Sequence, residues 1–325
     1  MLAAVLGFVS SCAFYFCVYG VVSHLLCRFR VGPVILMRAW YAVTLLITIV
    51  LINWSSAVVH YVFPLLLGWS SKDTSRCVSG LVAPFLWLQA KIGGPQIRFF
   101  YDDGVAGLLH EATLGKGGIF FCNHTSFADT FCIHGPGVTS YAVAASCKSL
   151  YKSDLAKLPL WGVWYQRSDS IPVFFTSSSA NDFSVDKEKQ AVANERMKRC
   201  VRDDNMWLFL FPEGALNKTP RAIQPIRRGS VQTAIELLGG VVTLIVVVGA
   251  DETWPLSAAV GGFPADIFID VKKVQIPRDV DIDAACEFVR AKMQAMYDET
   301  LAKRTAALGV ASAPRSSPAA DKKTA

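Results

Sequence analysis

The sequence predicts an α/β domain with a mixed, largely parallel sheet flanked by helices, preceded by N-terminal transmembrane or membrane-embedded helices. Three observations carry this. Residues 1–69 contain no Asp or Glu, and their only formal charges are Arg28, Arg30 and Arg38. From Ile97 onward, short β-rich runs alternate with amphipathic stretches, the pattern of a sheet covered by helices. One run, Val241–Val248, is almost wholly apolar, as a central strand covered on both faces must be.

Taken in order, Met1 to Cys27 is long enough to span, since a hydrocarbon core needs about 20 helical residues. It has no basic residue before its apolar run, unlike a cleaved signal peptide. Arg28, Arg30 and Arg38 flank a Gly-Pro break, and the positive-inside rule sets that loop in the cytosol. Ala39 to Trp69 is a second uncharged run. As one straight helix it would reach about 46 Å, beyond a roughly 30 Å core. It is therefore either a tilted span or a hairpin that dips in and returns. Val78–Leu88 is a short apolar segment, read as an interfacial helix or as the first packed helix of the globular part.

The strands are expected at Ile119–Cys122, Tyr141–Ala145, Ile171–Phe175, Trp207–Phe211, Val241–Val248 and Ile267–Val274. Helices are expected near Ser126–His134, Leu155–Tyr165, Val185–Val201 and Ser230–Leu238, with a long final helix from Asp283 to Ala307. The tail from Gly309 has no core-forming pattern and reads as disordered. The domains are thus 1–72, membrane-embedded; 73–308, the α/β domain; and 309–325, the tail.

Composition narrows the partners. Hydrophobic residues make up 52% and charged residues 18%, with a net charge of +6. So apolar a chain with a modest positive charge points to the lipid bilayer or an anionic substrate. No basic block with interleaved aromatics exists, so no nucleic acid is expected. The nine cysteines show neither CxxC spacing nor a paired His pattern. They read as reduced thiols, with no disulfide frame and no metal site.

The chemistry concentrates in Cys122-Asn123-His124-Thr125-Ser126-Phe127-Ala128-Asp129. His124 stands at a strand-to-helix junction and is the side chain best suited to move a proton near neutral pH. Residues five apart on a helix diverge by roughly 140°. His124 and Asp129 therefore meet only if His124 lies in the loop and Asp129 in the first turn, and Asn123, Thr125 and Ser126 are all helix-start residues. A second stretch, Leu208-Phe209-Leu210-Phe211-Pro212-Glu213-Gly214, presents a carboxylate at a strand end, where open α/β sheets collect ligands. His124 and Glu213 are expected to face one cleft.

An N-H-x-x-x-x-D block followed about ninety residues later by F-P-E-G resembles the glycerolipid acyltransferases, including the 1-acylglycerol-3-phosphate (lysophosphatidic acid) acyltransferases. The resemblance covers roughly residues 75–275. Lys148, Leu158-Pro159-Leu160-Trp161-Gly162, Ile171-Pro172-Val173 and Arg228-Gly229 are similar to further blocks of that family. The resemblance implies an acyl-CoA-dependent enzyme of the endoplasmic reticulum, with its active site on the cytosolic side. It would esterify the free hydroxyl of a lysophospholipid, most simply 1-acylglycerol-3-phosphate to phosphatidic acid. His124 and Asp129 would be catalytic; Asn123, Glu213, Gly214, Lys148, Arg228 and Lys218 would bind substrate. Acyl-CoA is a co-substrate, and no cofactor or metal is expected.

Two departures bear on the acceptor. Where the family often has Thr-Arg after F-P-E-G, this chain has Ala215 and Leu216, and Phe175 stands where a second Arg is usual. Lys218, Arg167, Arg221, Arg227 or Arg228 would have to take the phosphate, or the acceptor has a larger headgroup. The competing readings are a membrane lipid hydrolase using Ser126 or Cys122, and a catalytically silent lipid-binding member.

Overall fold

The computed structural model describes residues 2–101, 104–105, 107, 111, 114, 117–134, 141–179 and 182–309. The tail expected to be disordered from Gly309 lies, beyond Gly309 itself, outside the described residues. Two long apolar helices come first, α1 (Leu2–Phe29) and α2 (Val34–Tyr61), then the short α3 (Phe63–Leu67). Val34–Leu67 is the one stretch among the described residues long and apolar enough to cross a membrane by length and composition.

One face of α2 is buried from end to end, through Met37, Tyr41, Thr44, Thr48, Ile52, Ser56 and Val59. That spacing is a helical stripe. Polar contacts tie the same face to the domain at three levels. Arg38 donates to the Val260 carbonyl at 2.8 Å, Thr48 to Gln89 Oε1 at 3.2 Å, and Arg167 to the Asn53 carbonyl at 2.9 Å. The opposite face exposes Ile35, Leu46, Ile47 and Trp54. The α1–α2 loop is pinned as well: Arg30 makes a two-pronged ion pair with Asp266, at 2.8 and 2.7 Å.

Helix α4 (Ser71–Leu88) begins well before the apolar run that announced it. Ser70 and Asp73 form a capping box, each side chain reaching the other's backbone N–H. Val78, Val82, Ala83 and Leu86 pack against Trp164 and Tyr165, so this segment is a packed helix of the domain.

Seven strands form the main sheet: β1 (Ile97–Tyr101), β2 (Gly118–Cys122), β3 (Cys147–Lys152), β4 (Ile171–Val173), β7 (Trp207–Leu210), β8 (Val241–Val248) and β9 (Ala265–Gln275). Their order is β1-β9-β8-β2-β7-β3-β4. Every pairing is parallel except β8 with β9, so the sheet is mixed and largely parallel. β5 (Phe175–Ser179) and β6 (Asp182–Val185) make a separate antiparallel pair.

The helices after the second strand are α5 (Ala128–His134), α6 (Tyr141–Ala145), α7 (Trp161–Arg167), α8 (Lys187–Arg202), α9 (Arg228–Leu238), α10 (Ala250–Thr253) and α11 (Ile282–Leu308). Period-two alternation in β8 feeds two core layers. Val242, Leu244, Val246 and Val248 face one layer, with Val231, Val289 and Met293; Ile245 and Val247 face the other, with Phe120, Cys122 and Phe209.

Three local expectations are corrected. Tyr141–Ala145 is a helix rather than a strand; three alanines in five residues favour helix, and the strand follows at Cys147–Lys152. The expected helix Leu155–Tyr165 is broken into a 3₁₀ turn, Ser153–Lys157, and α7. Pro159 intervenes, and Leu160 adopts φ +65°. The expected strand Ile171–Phe175 divides at Phe174, where the chain leaves β3 and pairs instead with β6.

Candidate active site

β2 and β7 lie side by side and parallel, Ile119 opposite Leu208 and Phe121 opposite Leu210. The segments that follow them therefore emerge on one sheet edge, which brings Asn123–Asp129 against Phe211–Gly214. His124 lies in the loop and Asp129 in the first turn of α5, the arrangement the five-residue spacing demanded. His124 Nδ1 is 3.1 Å from Asp129 Oδ2. The same oxygen accepts the backbone N–H groups of Thr125 at 2.6 Å and Ser126 at 2.8 Å. Asp129 is fully buried while the His124 side chain keeps 20% exposure. A buried carboxylate is tolerated only when its charge is met by donors, and these N–H groups at the helix start supply them.

The carboxylate fixes the ring through Nδ1. Among the described residues, Nε2 has no protein partner. The ring's face lies on Phe211, with centroids 3.7 Å apart and planes 11° from parallel.

Glu213 comes to the same place but does not present its carboxylate to the cleft. It is 1% exposed. Oε1 accepts the backbone N–H of His124 at 2.9 Å; Oε2 accepts Asn217 Nδ2 at 3.0 Å and the Gln224 N–H at 2.8 Å. Burial pushes its carboxyl above the usual range, and these N–H donors pull the other way. The turn that delivers it closes through Gly214 N–H to the Phe211 carbonyl at 3.0 Å, with Gly214 at φ +72°. Glycine takes that conformation without a Cβ clash.

Asn123 is likewise committed. Its Oδ1 accepts the Val247 N–H at 2.7 Å and its Nδ2 donates to the Val247 carbonyl at 2.9 Å. The side chain thus continues the β2–β8 ladder one residue past the strand. Of the other expected substrate-binding residues, Lys218 is exposed in the turn after Asn217. Lys148 is 3% exposed and donates to the Ser168 carbonyl at 2.5 Å and to Ser75 Oγ at 3.2 Å, partners that belong to the opposite edge of the sheet. Arg228 pairs with Asp283 at the start of α11, and Arg167 is held by α2. Neither joins His124. Arg227 does come near, donating from Nε to the Glu213 carbonyl at 3.1 Å.

The sequence reading passed over Lys152. It closes β3, beside β7, on the edge that carries His124 and Glu213, and its partner is Asp154 at 3.4 Å. Placing the strand at 141–145 left this lysine unassigned; its position just before a Leu-Pro block was the available signal. Phe211 and Asn217 were also not singled out.

The alternative nucleophiles are engaged elsewhere. Ser126 Oγ donates to the Trp254 carbonyl at 2.8 Å and accepts the Ala128 N–H at 3.0 Å, capping α5. Cys122 is fully buried, and burial pushes its thiol well up, against thiolate formation. Beneath α5 lies an apolar cavity lined by Tyr41, Leu86, Ile97, Phe99, Phe131 and Ile267 among others.

Residues 108–248 match the family model described as Acyltransferase. A curated 1-acyl-sn-glycerol-3-phosphate acyltransferase of Cocos nucifera is 27% identical over 139 residues, which is 42% of this chain and 39% of that protein. The chain therefore covers about two fifths of that relative's length.

Proposed function

We propose that this chain, a member of the acyltransferase family, transfers the acyl group of acyl-CoA to the free hydroxyl of a lysophospholipid, with 1-acylglycerol-3-phosphate as the first acceptor to test. The observation that carries the reading is the His124–Asp129 pair, held at 3.1 Å with the carboxylate buried and the ring partly open. Nε2 takes the proton of the acceptor hydroxyl. The oxygen attacks the thioester carbonyl, the C–S bond breaks, and the imidazolium returns its proton to the departing CoA thiolate. Asp129 keeps the Nδ1 proton in place and stabilises the imidazolium. A positioned base of this kind contributes about 10²–10⁴-fold; the remainder comes from positioning of the two substrates. No covalent acyl-enzyme is required.

Lys152 at the end of β3, Lys218 in the loop after Glu213 and Arg227, which donates to the Glu213 carbonyl, are taken to stand in for the two arginines missing at Leu216 and Phe175. The hydrolase reading is not favoured, because the Ser126 hydroxyl caps α5 and Cys122 is enclosed.

The membrane reading follows α2. The domain meets it from Arg38 to Val59, about 32 Å at 1.5 Å per residue, as much as a whole hydrocarbon core. A crossing helix would drag Arg38, Arg167 and the domain's backbone into that core. We therefore place α2 within one leaflet, its exposed apolar face toward lipid, with the domain and the Arg28–Arg38 loop together on the cytosolic side of the endoplasmic reticulum.

The test is acyl transfer by membranes carrying the protein, with labelled acyl-CoA and a panel of lysophospholipids. His124→Ala should abolish acceptor-dependent product. Transfer that survives without His124 would sink the mechanism, and free fatty acid released independently of acceptor would point to hydrolysis.

A further inference from the structure

A second polar cavity lies at the opposite edge of the sheet, near the amino ends of β3 and β7. It measures about 190 Å³ and is lined by Ser71, Lys72, Ser75, Arg76, Lys148, Asp169, Cys200, Asp204 and Met206. One water needs only about 10–15 Å³ on this measure, so the space is ample for a phosphate group.

The charges around it do not balance. Asp204 is engaged by Lys72 at 2.5 Å, and Asp169 by Arg196. The two remaining cations rest on neutral acceptors. Arg76 donates to the Asp204 carbonyl at 2.6 Å and to Met206 Sδ at 3.3 Å. Lys148 donates to the Ser168 carbonyl and Ser75 Oγ, and its nearest carboxylate, Asp169, is 4.0 Å away and half exposed. A buried ammonium on neutral partners costs stability unless a charge answers it. The cost shows in Lys148 itself, whose pKa falls to about 8 through burial; Asp169 opposes the fall without cancelling it, and Arg196 and Arg76 add to it.

The surroundings point to where an anion would come from. α4 begins at Ser71, and Ser71, Lys72, Ser75 and Arg76 of its first turns line the cavity. Immediately before it, α3 exposes Leu65, Leu66 and Leu67 at 85%, 74% and 56%. Leucines so exposed are suited to burial in lipid, and they end four residues before Ser71, the first residue lining the cavity.

We propose that this cavity is a phosphate-binding site, separate from the His124 edge, held by Arg76 and Lys148 and positioned to take the phosphate of an anionic lipid headgroup. It stands whether or not the chain transfers acyl groups.

The experiment uses the full chain in detergent. Binding of inorganic phosphate is followed by ³¹P line broadening, and retention on vesicles of phosphatidylcholine alone is compared with vesicles containing phosphatidic acid. Arg76→Gln and Lys148→Met should each weaken phosphate binding about tenfold or more, the worth of a charge-assisted contact. Lys187→Gln, the same charge loss on an exposed helix start, should leave it unchanged. Arg76→Gln avoids the buried position and keeps the test open if Lys148→Met fails to fold. Preferential retention on phosphatidic acid vesicles that falls with Arg76→Gln assigns the source to lipid. Phosphate binding that falls without any change in vesicle retention assigns it to free phosphate. Phosphate binding unaltered by Arg76→Gln, or lost instead with Lys152→Gln or Lys218→Gln, would overturn the proposal.

Discussion

The Glu213 carboxylate accepts the backbone N–H of His124 at 2.9 Å. Two chain segments 89 residues apart are joined at His124, the proposed base. In return, the Asn217 N–H donates to the His124 carbonyl at 2.6 Å. Both polar groups of the His124 backbone are thus held by the loop after β7, and in the proposed reaction Glu213 would serve as a positioning residue.

Substitution of Glu213 tests that role. Glu213→Gln leaves an amide facing the Asn217 and Gln224 donors and loosens the loop. It is expected to lower kcat about ten- to a hundredfold, the ~1.5–3 kcal/mol worth of a charged hydrogen bond. KM for the lysophospholipid should stay within about twofold, because uniform binding is untouched. Initial rates against acceptor concentration check this; a KM effect with kcat preserved would return Glu213 to the substrate.

Asp129 acts on the ring directly. Asp129→Asn keeps the side chain's size but removes the charge that holds Nδ1–H. Activity should fall by about 10²–10⁴-fold. His124→Ala should fall at least as far, and the double variant no further than the worse single one, since the two act as a unit. Single-turnover acyl transfer measures all three.

Asn123 is a structural clamp with a stability signature. Asn123→Ala strands the Val247 N–H and carbonyl inside the sheet, at a cost of about 2–4 kcal/mol for two buried groups. Denaturant unfolding should show a lower midpoint with unchanged slope. A variant of undiminished stability but weaker acceptor binding would contradict the clamp.

Asp251, in α10 after β8, carries a pH dependence. Burial raises its pKa from 3.8 to about 6, with Glu252 adding to the rise and Arg304 opposing it. The folded chain therefore holds this proton at a pH where the unfolded chain has lost it. Stability falls as pH rises between about 4 and 6, and the penalty is complete above that window. Asp251→Asn should flatten the dependence there and raise the melting temperature near neutral pH. Thermal unfolding across pH 4 to 8 reads it directly, and a variant whose pH profile matches the parent's would refute the assignment.

Much of the fold follows from local pattern. Val241–Val248 announces a doubly covered strand, because a central strand must be apolar on both faces. The five-residue gap between His124 and Asp129 forces a loop-to-first-turn placement, because no helix lets both residues share a face. Alternation after Ile97 requires helices on a sheet, and the uncharged opening requires a lipid-facing or buried surface. All of these depend on residues close in sequence, so one chain suffices to read them.

Tertiary structure decided the rest. Only strand order shows that β2 and β7 are neighbours, and hence that Glu213 reaches the His124 backbone. Only register sets Lys148 and Lys152 toward opposite edges of the sheet, four residues apart on one strand. Only packing shows that one side of α2 meets the domain from Arg38 to Val59, which hydropathy cannot distinguish from a span. Each of these turns on which distant residue fills a hydrogen bond or covers a face. The amino-acid pattern determines which residues can meet such a need, and the folded chain determines which of them do.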